Sequence, residues 1–208
     1  MDLQRSMYSY AADNLVREGD TAIFYESIDL YKQMIIRKGN YYQTTKGVIQ
    51  HDQLIGNEQF GTKVYTTNKR HYVFLLRVNS DQHTRCLSQR TQILYTPDIS
   101  QVCFRLQLKP GSNVVESGTG SGSLSTSIAK MILPIGHLFT FEFNEGRVIK
   151  AKEEFAELGL ENYITVTHRD VLSHGFLLDG EHKFVKEGMI DACFLDLPNP
   201  QMAVKHAH

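Results

Sequence analysis

The chain has 208 residues, of which 41% are hydrophobic and 22% charged, with a formal net charge of -1. These values are typical of a globular enzyme and exclude a uniformly basic nucleic-acid-binding protein, so any such contact needs a local patch. The widely separated Cys86, Cys103 and Cys193 fit neither a disulfide framework nor a metal site, and we expect reduced thiols. No apolar run is long enough to cross a membrane, and we expect a protein of the cytosol or nucleus.

The N-terminal part consists of short β-branched and aromatic runs separated by turn residues. We predict strands at 21–25, 34–36, 48–49, 63–65 and 72–76. Gly39-Asn40 lies between two of these runs and is typical of a hairpin turn. The spacing predicts a small antiparallel barrel or sheet, and we assign residues 1–88 to this small all-β domain.

From residue 97 onward, helix and strand patterns alternate. Two helices are predicted, one opened by Pro97-Asp98 and ended by Lys109-Pro-Gly111, the other capped by Asn144 and ended by Gly159. Strands are predicted at 114–115, 137–142, 163–167 and 190–195. This alternation predicts an α/β fold with a parallel, doubly wound, Rossmann-like sheet, which we assign to residues 89–208.

The most informative segment is Asn113-Val-Val-Glu-Ser-Gly-Thr-Gly-Ser-Gly122. Its apolar run ends at Glu116, glycines follow at alternate positions, and Leu124, Ile128 and Ile132 then recur at helical spacing. Because glycine has no side chain, a strand, glycine turn and helix in this order bring backbone close to a nucleoside-bearing ligand. The segment therefore predicts a cofactor site.

The spacing of the glycines separates two cofactors. A dinucleotide fingerprint needs its third glycine at position 123, which is Ser123 here. The pattern favours S-adenosylmethionine, because a carboxylate before the turn, Glu116, can meet that cofactor's cationic amino-acid tail. Glu142, which ends the next apolar run, lies where a ribose hydroxyl pair is held. A nicotinamide dinucleotide is the alternative, and a purely structural glycine turn is the least favoured interpretation.

Acidic residues follow the strands predicted for the parallel sheet: Glu116, Glu142, Asp170 and Asp196. Any one of them could be an ordinary loop or helix-cap residue. Ligands of such sheets bind at the carboxyl ends of the strands, so four acids at one edge predict a functional site. The two prolines of Asp196-Leu-Pro-Asn-Pro200 fix the backbone there, which suits a carboxylate that holds a substrate amine.

Several motifs together resemble the catalytic subunits of the eukaryotic tRNA (adenine-N1)-methyltransferases, which make 1-methyladenosine at tRNA position 58 in the T-loop. The motifs are Gly47-Val-Ile-Gln-His51, Leu54-Ile-Gly56, Arg90-Thr-Gln-Ile-Leu-Tyr95, Glu116-Ser-Gly-Thr-Gly-Ser-Gly-Ser123 and Phe194-Leu-Asp-Leu-Pro198. The resemblance covers nearly the whole chain from Glu18 onward. It implies a class I S-adenosylmethionine-dependent methyltransferase fold.

The resemblance also implies roles for individual residues. The residues implied for cofactor binding are Leu94, Glu116, Ser117, Gly118, Thr119, Gly120, Ser121, Gly122, Ser123, Glu142, Arg147, Asp170, Val171 and Asp196. Asp196 is implied as the catalytic carboxylate. Adenine N1 carries its own lone pair, so the chemistry needs no metal and no proton removal before attack; a carboxylate that accepts a hydrogen bond from the exocyclic amine stabilises the developing positive charge.

Binding partners are implied by the same resemblance. Positions that match RNA-facing ones are Tyr41, Gln43, Thr45, Lys46, Gly47, Arg70, Gln92, Tyr95 and Thr96. Each could instead belong to a solvated hairpin or be a packed aromatic, an interpretation we favour for the tyrosines. The implied partners are tRNA and a non-catalytic, RNA-binding subunit in a two-plus-two heterotetramer. The Glu-Ser pair of the glycine motif is similar to the nuclear branch of the family, so we expect a nuclear protein.

Two departures from the family pattern bear on activity. Gln201 stands where the family has a tryptophan, and the sequence stops at His208, directly after the fourth strand predicted for the methyltransferase sheet. We expect an incomplete sheet whose C-terminal strands are missing. The alternative function is therefore a truncated, inactive module that acts only in complex assembly.

Overall fold

The computed structural model describes residues 14–87, 92–178 and 185–207. The chain divides into two compact units, Met1–Cys86 and Leu87–His208. The boundary predicted between residues 88 and 89 lies outside the described residues, as does the start of the Arg90 motif.

The first unit is mainly antiparallel. Its elements are β1 (Thr21–Ser27), β2 (Leu30–Ile35), β3 (Tyr41–Thr44), β4 (Gly47–Gln50), β5 (Thr62–Tyr65), β6 (Tyr72–Arg77) and α1 (Ser80–Cys86). One sheet has the order β2-β1-β6-β5, and β3 and β4 form a separate two-stranded sheet. Both sheets contribute to one core, in which the ring of Phe24 from β1 stacks 4.6 Å from that of Tyr42 from β3. The predicted strands are confirmed, and β3 was missed.

The hairpin predicted at Gly39-Asn40 is wrong. A turn is present, because Gly39 has a positive φ of 73° and its amide donates to the Asp52 carboxylate at 2.8 Å. The flanking strands β2 and β3 nevertheless belong to different sheets. Buried Ile36 follows β2 and anchors the chain in the core before this turn, so the segment carries the chain from one sheet to the other. A dipeptide signal predicts a turn but not the pairing of its flanks.

The first unit is not purely β, since helix α1 completes it. The Asn79 side chain accepts a hydrogen bond from the Gln82 amide at 2.8 Å, and Asp81 pairs with Arg85 one turn later. His83 is buried against β2 and its ring bonds the Gln33 side chain at 3.0 Å. Burial lowers the pKa of His83 to about 4, so this histidine is neutral at physiological pH.

The second unit alternates helix and parallel strand, as predicted. Its elements are α2 (Thr96–Arg105), β7 (Asn113–Ser117), α3 (Ser123–Ile132), β8 (His137–Glu142), α4 (Glu145–Glu157), β9 (Ile164–His168), α5 (Val171–His174), β10 (Ala192–Leu195) and α6 (Pro200–Val204). The sheet order is β10-β7-β8-β9, with all pairs parallel. Since β7 and β8 are central and buried, their carboxyl ends form the middle of the sheet edge where ligands of such folds bind.

The described residues contain no helix long and apolar enough to span a membrane. Within the same ranges, no cluster of histidine, cysteine and acidic side chains is arranged to hold a metal ion.

Candidate active site

The glycine loop between β7 and α3 lies against the end of β10. Gly118 has a φ of 96°, and a Cβ built on it would lie 2.1 Å from the carbonyl oxygen of Asp196. Two backbone hydrogen bonds of 2.8 Å fix this approach, from the Gly118 amide to Phe141 and from the Asp196 amide to Ser117. No other residue type fits at Gly118 without moving the backbone that carries Asp196.

Gly122 has a different structural role from the other loop glycines. It precedes α3 with a φ of 78°, and a Cβ there would approach the ring of Phe155 to 3.0 Å. It therefore permits close packing of the loop against α4, and it lines neither of the cavities described below.

Glu116, at the end of β7, is directed into a set of hydroxyl groups and is 1% exposed. Its Oε2 accepts hydrogen bonds from Ser125 at 2.5 Å and from Thr140 at 2.6 Å. The Thr119 and Thr140 hydroxyls lie 2.7 Å apart. Because Thr140 uses its only hydroxyl proton on Glu116, Thr119 donates to Thr140. This chain of hydroxyls ties the glycine loop to β8 through the buried carboxylate.

Burial is the main influence on the ionisation of Glu116. Loss of solvation raises its pKa from 4.5 to about 7, and the nearby charges of Asp196 and Glu142 act in the same direction. The hydroxyls of Ser125 and Thr140 oppose the shift because they stabilise the carboxylate. Glu116 therefore changes charge close to physiological pH.

Glu142, at the end of β8, has a contrasting environment of backbone amides and a guanidinium. Its Oε1 accepts from the Asn144 amide at 2.9 Å and lies 2.9 Å from Nη2 of Arg147. Its Oε2 accepts from the Gly120 amide at 3.1 Å. The residue is 4% exposed. Glu142 thus joins the glycine loop to the start of α4, where the Asn144 side chain caps the helix as predicted.

Two adjoining cavities lie along this edge of the sheet. The larger has a volume of about 530 Å³ and is lined by Gln92, Ser117, Gly118, Gly120, Phe141, Glu142, Phe143, Arg147, Arg169, Asp170, Val171, Leu172, Asp196, Leu197 and Pro198. The smaller, of about 20 Å³, is lined by Gln92, Leu94, Glu116, Gly118, Thr119, Gly120, Ser121, Ser123, Leu124 and Asp196. Every residue predicted to bind the cofactor except Gly122 lines one of them.

Asp196 is exposed and lines both cavities. The residues that follow it turn sharply, with Asn199 at a φ of 56° and Pro200 starting α6. Gln201 lies on this short helix and is exposed to solvent. The side chain predicted to be catalytic therefore sits on a rigid turn at the mouth of the site.

Asp170 lines the larger cavity and is at the same time the N-cap of α5. Its carboxylate accepts from the Leu172 amide at 3.0 Å and from the Ser173 hydroxyl at 2.7 Å. The Ser173 hydroxyl, followed by backbone amides, lowers the pKa of Asp170. A carboxylate at a strand end can serve as a helix cap or as a ligand contact, and the geometry at Asp170 accommodates both.

Some lining residues were not predicted. Leu172 lies two positions after Asp170, and Phe143 and Leu197 each follow directly after an acidic residue that was predicted. The position immediately after the acid at a strand end is a signal by which Phe143 and Leu197 could have been found. Gln92, predicted to face RNA, lines both cavities.

The remaining residues predicted to face RNA fall in both units. In the second unit, Tyr95 precedes α2 and is 44% exposed, and Thr96 begins that helix. In the first unit the β3–β4 hairpin carries the others except Arg70, namely Tyr41, Gln43, Thr45, Lys46 and Gly47. Arg70 lies in the loop between β5 and β6 and is exposed.

That loop and the tip of the hairpin are held together. The Asn68 side chain donates to the Lys46 carbonyl at 3.4 Å, and the Thr67 amide donates to the Val48 carbonyl at 2.8 Å. The side chains of Lys46 and Arg70 are thus carried by two mutually braced loops.

Comparisons with known proteins place these features in a family. A family model described as "tRNA methyltransferase complex GCD14 subunit" matches residues 71–208. The tRNA (adenine(58)-N(1))-methyltransferase catalytic subunit of Dictyostelium discoideum is 41% identical over 198 residues, covering 94% of this chain and 61% of the relative. Its counterpart in Candida albicans is 40% identical and is covered to 56%. The chain thus spans about half to three fifths of the length of these relatives.

Two solved structures confirm the predicted methyltransferase fold. A SAM-dependent O-methyltransferase from Thermotoga maritima has a TM-score of 0.76 at 21% identity. The match covers 95% of this chain and 70% of the Thermotoga chain. The tRNA (m1A58) methyltransferase TrmI from Aquifex aeolicus has a TM-score of 0.67 at 23% identity, with 90% and 68% covered. Because the family model matches most of this chain, residues 71–208, the chain belongs to the GCD14 family of tRNA methyltransferase complex subunits.

Proposed function

We propose that this chain is the catalytic subunit of a tRNA (adenine-N1)-methyltransferase that uses S-adenosylmethionine to methylate N1 of the T-loop adenine at position 58. The observation that carries the proposal is the position of Asp196, exposed beside the glycine loop and lining both cavities. Similarity to catalytic subunits favours this assignment over the alternative of an inactive assembly module.

The cavity fits S-adenosylmethionine in size and in polar groups. Its volume of about 530 Å³ lies within the range of ~300–1,000 Å³ usual for such ligands. Gly118 and Gly120 present bare backbone to it, and the Glu142 carboxylate would hold the ribose hydroxyls. Glu116, behind the loop, changes charge near physiological pH, and its ionised form would provide negative charge for a cationic amino-acid tail. When bound, S-adenosylmethionine supplies an electrophilic methyl group on a positively charged sulfur.

Asp196 would act on the target base. Its carboxylate accepts a hydrogen bond from the exocyclic amine of adenine, which orients the ring and increases the electron density at N1. As N1 gains a bond to carbon, the ring becomes cationic, and the fixed negative charge of Asp196 stabilises it. The hydrogen bond from the Asp196 amide to Ser117 keeps the carboxylate in register with the glycine loop. Positioning supplies the remainder of the rate enhancement.

The RNA substrate and a partner subunit extend the proposal. The T-loop adenine is stacked in folded tRNA, so it must be swung out to reach Asp196. A net charge of -1 gives this chain no dominant field for RNA, which supports assembly with a non-catalytic RNA-binding subunit in a two-plus-two heterotetramer. The family description, a subunit of a tRNA methyltransferase complex, agrees with such a partner. We place the complex in the nucleus on the resemblance to the nuclear branch.

The test is methyl transfer to a tRNA transcript by the chain purified with its partner subunit. Asp196→Ala should lower the rate by about 10²–10³, the usual effect of losing one preorganised charge, while cofactor affinity stays near the wild-type value. Asp196→Asn should fall between, because an amide oxygen accepts the hydrogen bond but carries no charge.

Asp191→Asn is the matched control, since Asp191 lies just before β10, at the end of the strand opposite Asp196. It accepts a hydrogen bond from the Asn113 amide at 2.8 Å, which an asparagine oxygen can replace. A full-rate Asp196→Ala enzyme would contradict the mechanism. Methyl found on the exocyclic amine after digestion would contradict the reaction.

A further inference from the structure

The outer face of the four-stranded sheet in the first unit carries a row of aromatic side chains. Cross-strand pairing places Tyr31, Tyr25, Phe74 and Lys63 in one line across β2, β1, β6 and β5. Tyr72 and Tyr65 form the next pair on that face, at the end of the β5–β6 hairpin. The opposite face of the same hairpin contributes Val64, Val73 and Leu75 to the core.

The two tyrosines of this pair are solvent-exposed, in contrast to the core residues beside them. Tyr65 is 50% exposed and Tyr72 is 39% exposed, with ring centroids 5.9 Å apart. The Tyr72 and Phe74 rings are nearly perpendicular with centroids 5.7 Å apart, a contact that restricts the Tyr72 ring. An exposed and held aromatic ring is the element on which proteins stack unpaired bases.

Positive charge surrounds the tyrosine pair. Lys63 Nζ lies 4.3 Å from the centre of the Tyr72 ring. Lys69 and Arg70 follow in the exposed loop that connects the two strands. An open depression of about 450 Å³ beside Tyr65 is lined by Gln53, Glu58, Tyr65, Thr66, Thr67 and Lys69. Half-buried Glu58 and Lys69 balance each other in this lining, so the excess positive charge near the pair comes from Lys63 and from Arg70 of the loop.

We propose that Tyr65, Tyr72 and Lys63 form a stacking platform for unpaired nucleotides of the RNA substrate. Aromatic faces and a lysine in contact with them suit bases and phosphates together, whereas a protein partner would require burial of the lysines. The braced loops that carry Lys46 and Arg70 would extend the same surface along the RNA backbone. The inference depends on RNA being the substrate, as proposed above, but it concerns residues outside the second unit.

The experiment measures binding of a fluorescein-labelled tRNA transcript to the complex of this chain with its partner subunit. Tyr65→Ala and Tyr72→Ala should each weaken binding by about 10-fold, within the range for one lost base stack. Tyr72→Phe should bind like the wild type, because it keeps the ring. Lys63→Ala should reduce the slope of log K against log salt by about 1.

Lys32→Ala is the control for a general effect of charge. Lys32 is an exposed lysine of the same sheet, but it lies on the opposite face from the tyrosine pair, because its cross-strand partner is the core residue Phe24. It should leave the salt slope unchanged. Circular dichroism melts and size-exclusion chromatography verify that each variant folds and assembles. Ultraviolet cross-linking to the transcript, followed by peptide identification, should recover the β5–β6 hairpin even in variants of reduced affinity.

Two results would overturn the proposal. One is wild-type RNA affinity in both alanine variants, with cross-links elsewhere. The other is loss of subunit assembly in place of RNA binding, which would identify the platform as a protein interface. Failure of the proposed function is a separate outcome, because the binding assay does not require methyl transfer.

Discussion

The two strand-to-helix junctions at the centre of the parallel sheet each bury a glutamate, but they hold it with different hydrogen-bond donors. Each strand carries an almost fully buried glutamate at or next to its last residue, Glu116 in β7 and Glu142 in β8. The first carboxylate is held by hydroxyls of Ser125 and Thr140 and has a raised pKa. The second is held by backbone amides and by Arg147.

The difference shows that two carboxylates of similar depth can be held by hydrogen-bond donors of different kinds. At Glu116 the two neutral hydroxyls offset the effect of burial on the pKa only in part. The junction with the hydroxyls also uses glycines for its turn, and the one with the amides uses an asparagine cap. Each distinction leads to a measurable effect.

The largest expected effect is the loss of the glycine that separates the first junction from β10. Gly118→Ala should destabilise the second unit by about 2–5 kcal/mol, because the new Cβ adds a clash with a backbone oxygen to the strain of a positive φ. That oxygen belongs to Asp196 and lies 2.1 Å from the Cβ position. Chemical denaturation measures the loss, and hydrogen exchange of the β7 amides assigns it to this unit.

Gly188→Ala is the matched control for this substitution. Gly188 has a φ of 71°, and nothing lies within 4 Å of its Cβ position. It should cost only the backbone strain, about 1–2 kcal/mol. Equal losses in the two variants would show that the contact with Asp196 does not constrain the loop.

The hydroxyl-bound carboxylate should make folding stability depend on pH. The pKa of Glu116 is raised from 4.5 to about 7 in the folded chain. The folded protein therefore keeps a proton that the unfolded chain releases, and the free energy of unfolding falls as pH rises through this window. The fall is on the order of 3 kcal/mol and levels off above it.

Glu116→Gln removes the titrating group but keeps an acceptor for Ser125 and Thr140. Stability should be measured by denaturation at about pH 5 and about pH 8. The wild type should lose stability relative to Glu116→Gln as pH rises. Thr140→Val, which deletes one hydroxyl donor, should steepen the wild-type fall. A pH-independent difference would mean that Glu116 is ionised throughout.

The sequence predicts the outline of this site well, because the relevant signals are local. Strand, glycine turn and helix follow within twenty residues, and the asparagine cap is read from its own helix. The contrast between the two glutamates was not predictable. Each simply ends an apolar run, while the donors that distinguish them include Thr140, which is 24 residues from Glu116 in the chain.

Pairing across the chain was likewise beyond local signals. The turn at Gly39-Asn40 was predicted, but the membership of its flanks in different sheets depends on core contacts of both sheets. Gln92 lines the cavities, which its motif did not indicate, and its contact with RNA stays a prediction.

The amide-bound carboxylate should matter for ligand affinity. Glu142→Ala should weaken S-adenosylmethionine binding by about 1.5–3 kcal/mol, the value of a hydrogen bond to a charged group, or roughly 10–150-fold. Isothermal titration calorimetry measures the change. Glu142→Gln should lose less, since its amide oxygen can still accept from Gly120.

Glu145→Ala controls for the general effect of negative charge at this helix end. Glu145 is the first residue of α4 and is exposed. Its loss should leave the affinity within error of the wild type. Unchanged binding by Glu142→Ala would contradict the ribose assignment, and tight binding of NADH would favour the dinucleotide alternative.

The smallest expected effect separates the helix cap from the ligand site. The Asn144 side chain accepts a hydrogen bond from the Arg147 amide at 3.0 Å, and its own backbone amide donates to Glu142 at 2.9 Å. Asn144→Ala should therefore lower stability by about 1 kcal/mol through the lost cap, yet leave cofactor affinity nearly unchanged, because the backbone donor remains. Asn144→Gly should cost only a few tenths of a kcal/mol in stability, while the added backbone freedom loosens the contact with Glu142 and weakens binding. If capping and ligand binding are separable in this way, thermal unfolding should rank Asn144→Gly as the more stable variant. Calorimetry should rank Asn144→Ala as the tighter binder of the cofactor. Identical rankings would mean that the cap and the carboxylate act as one unit.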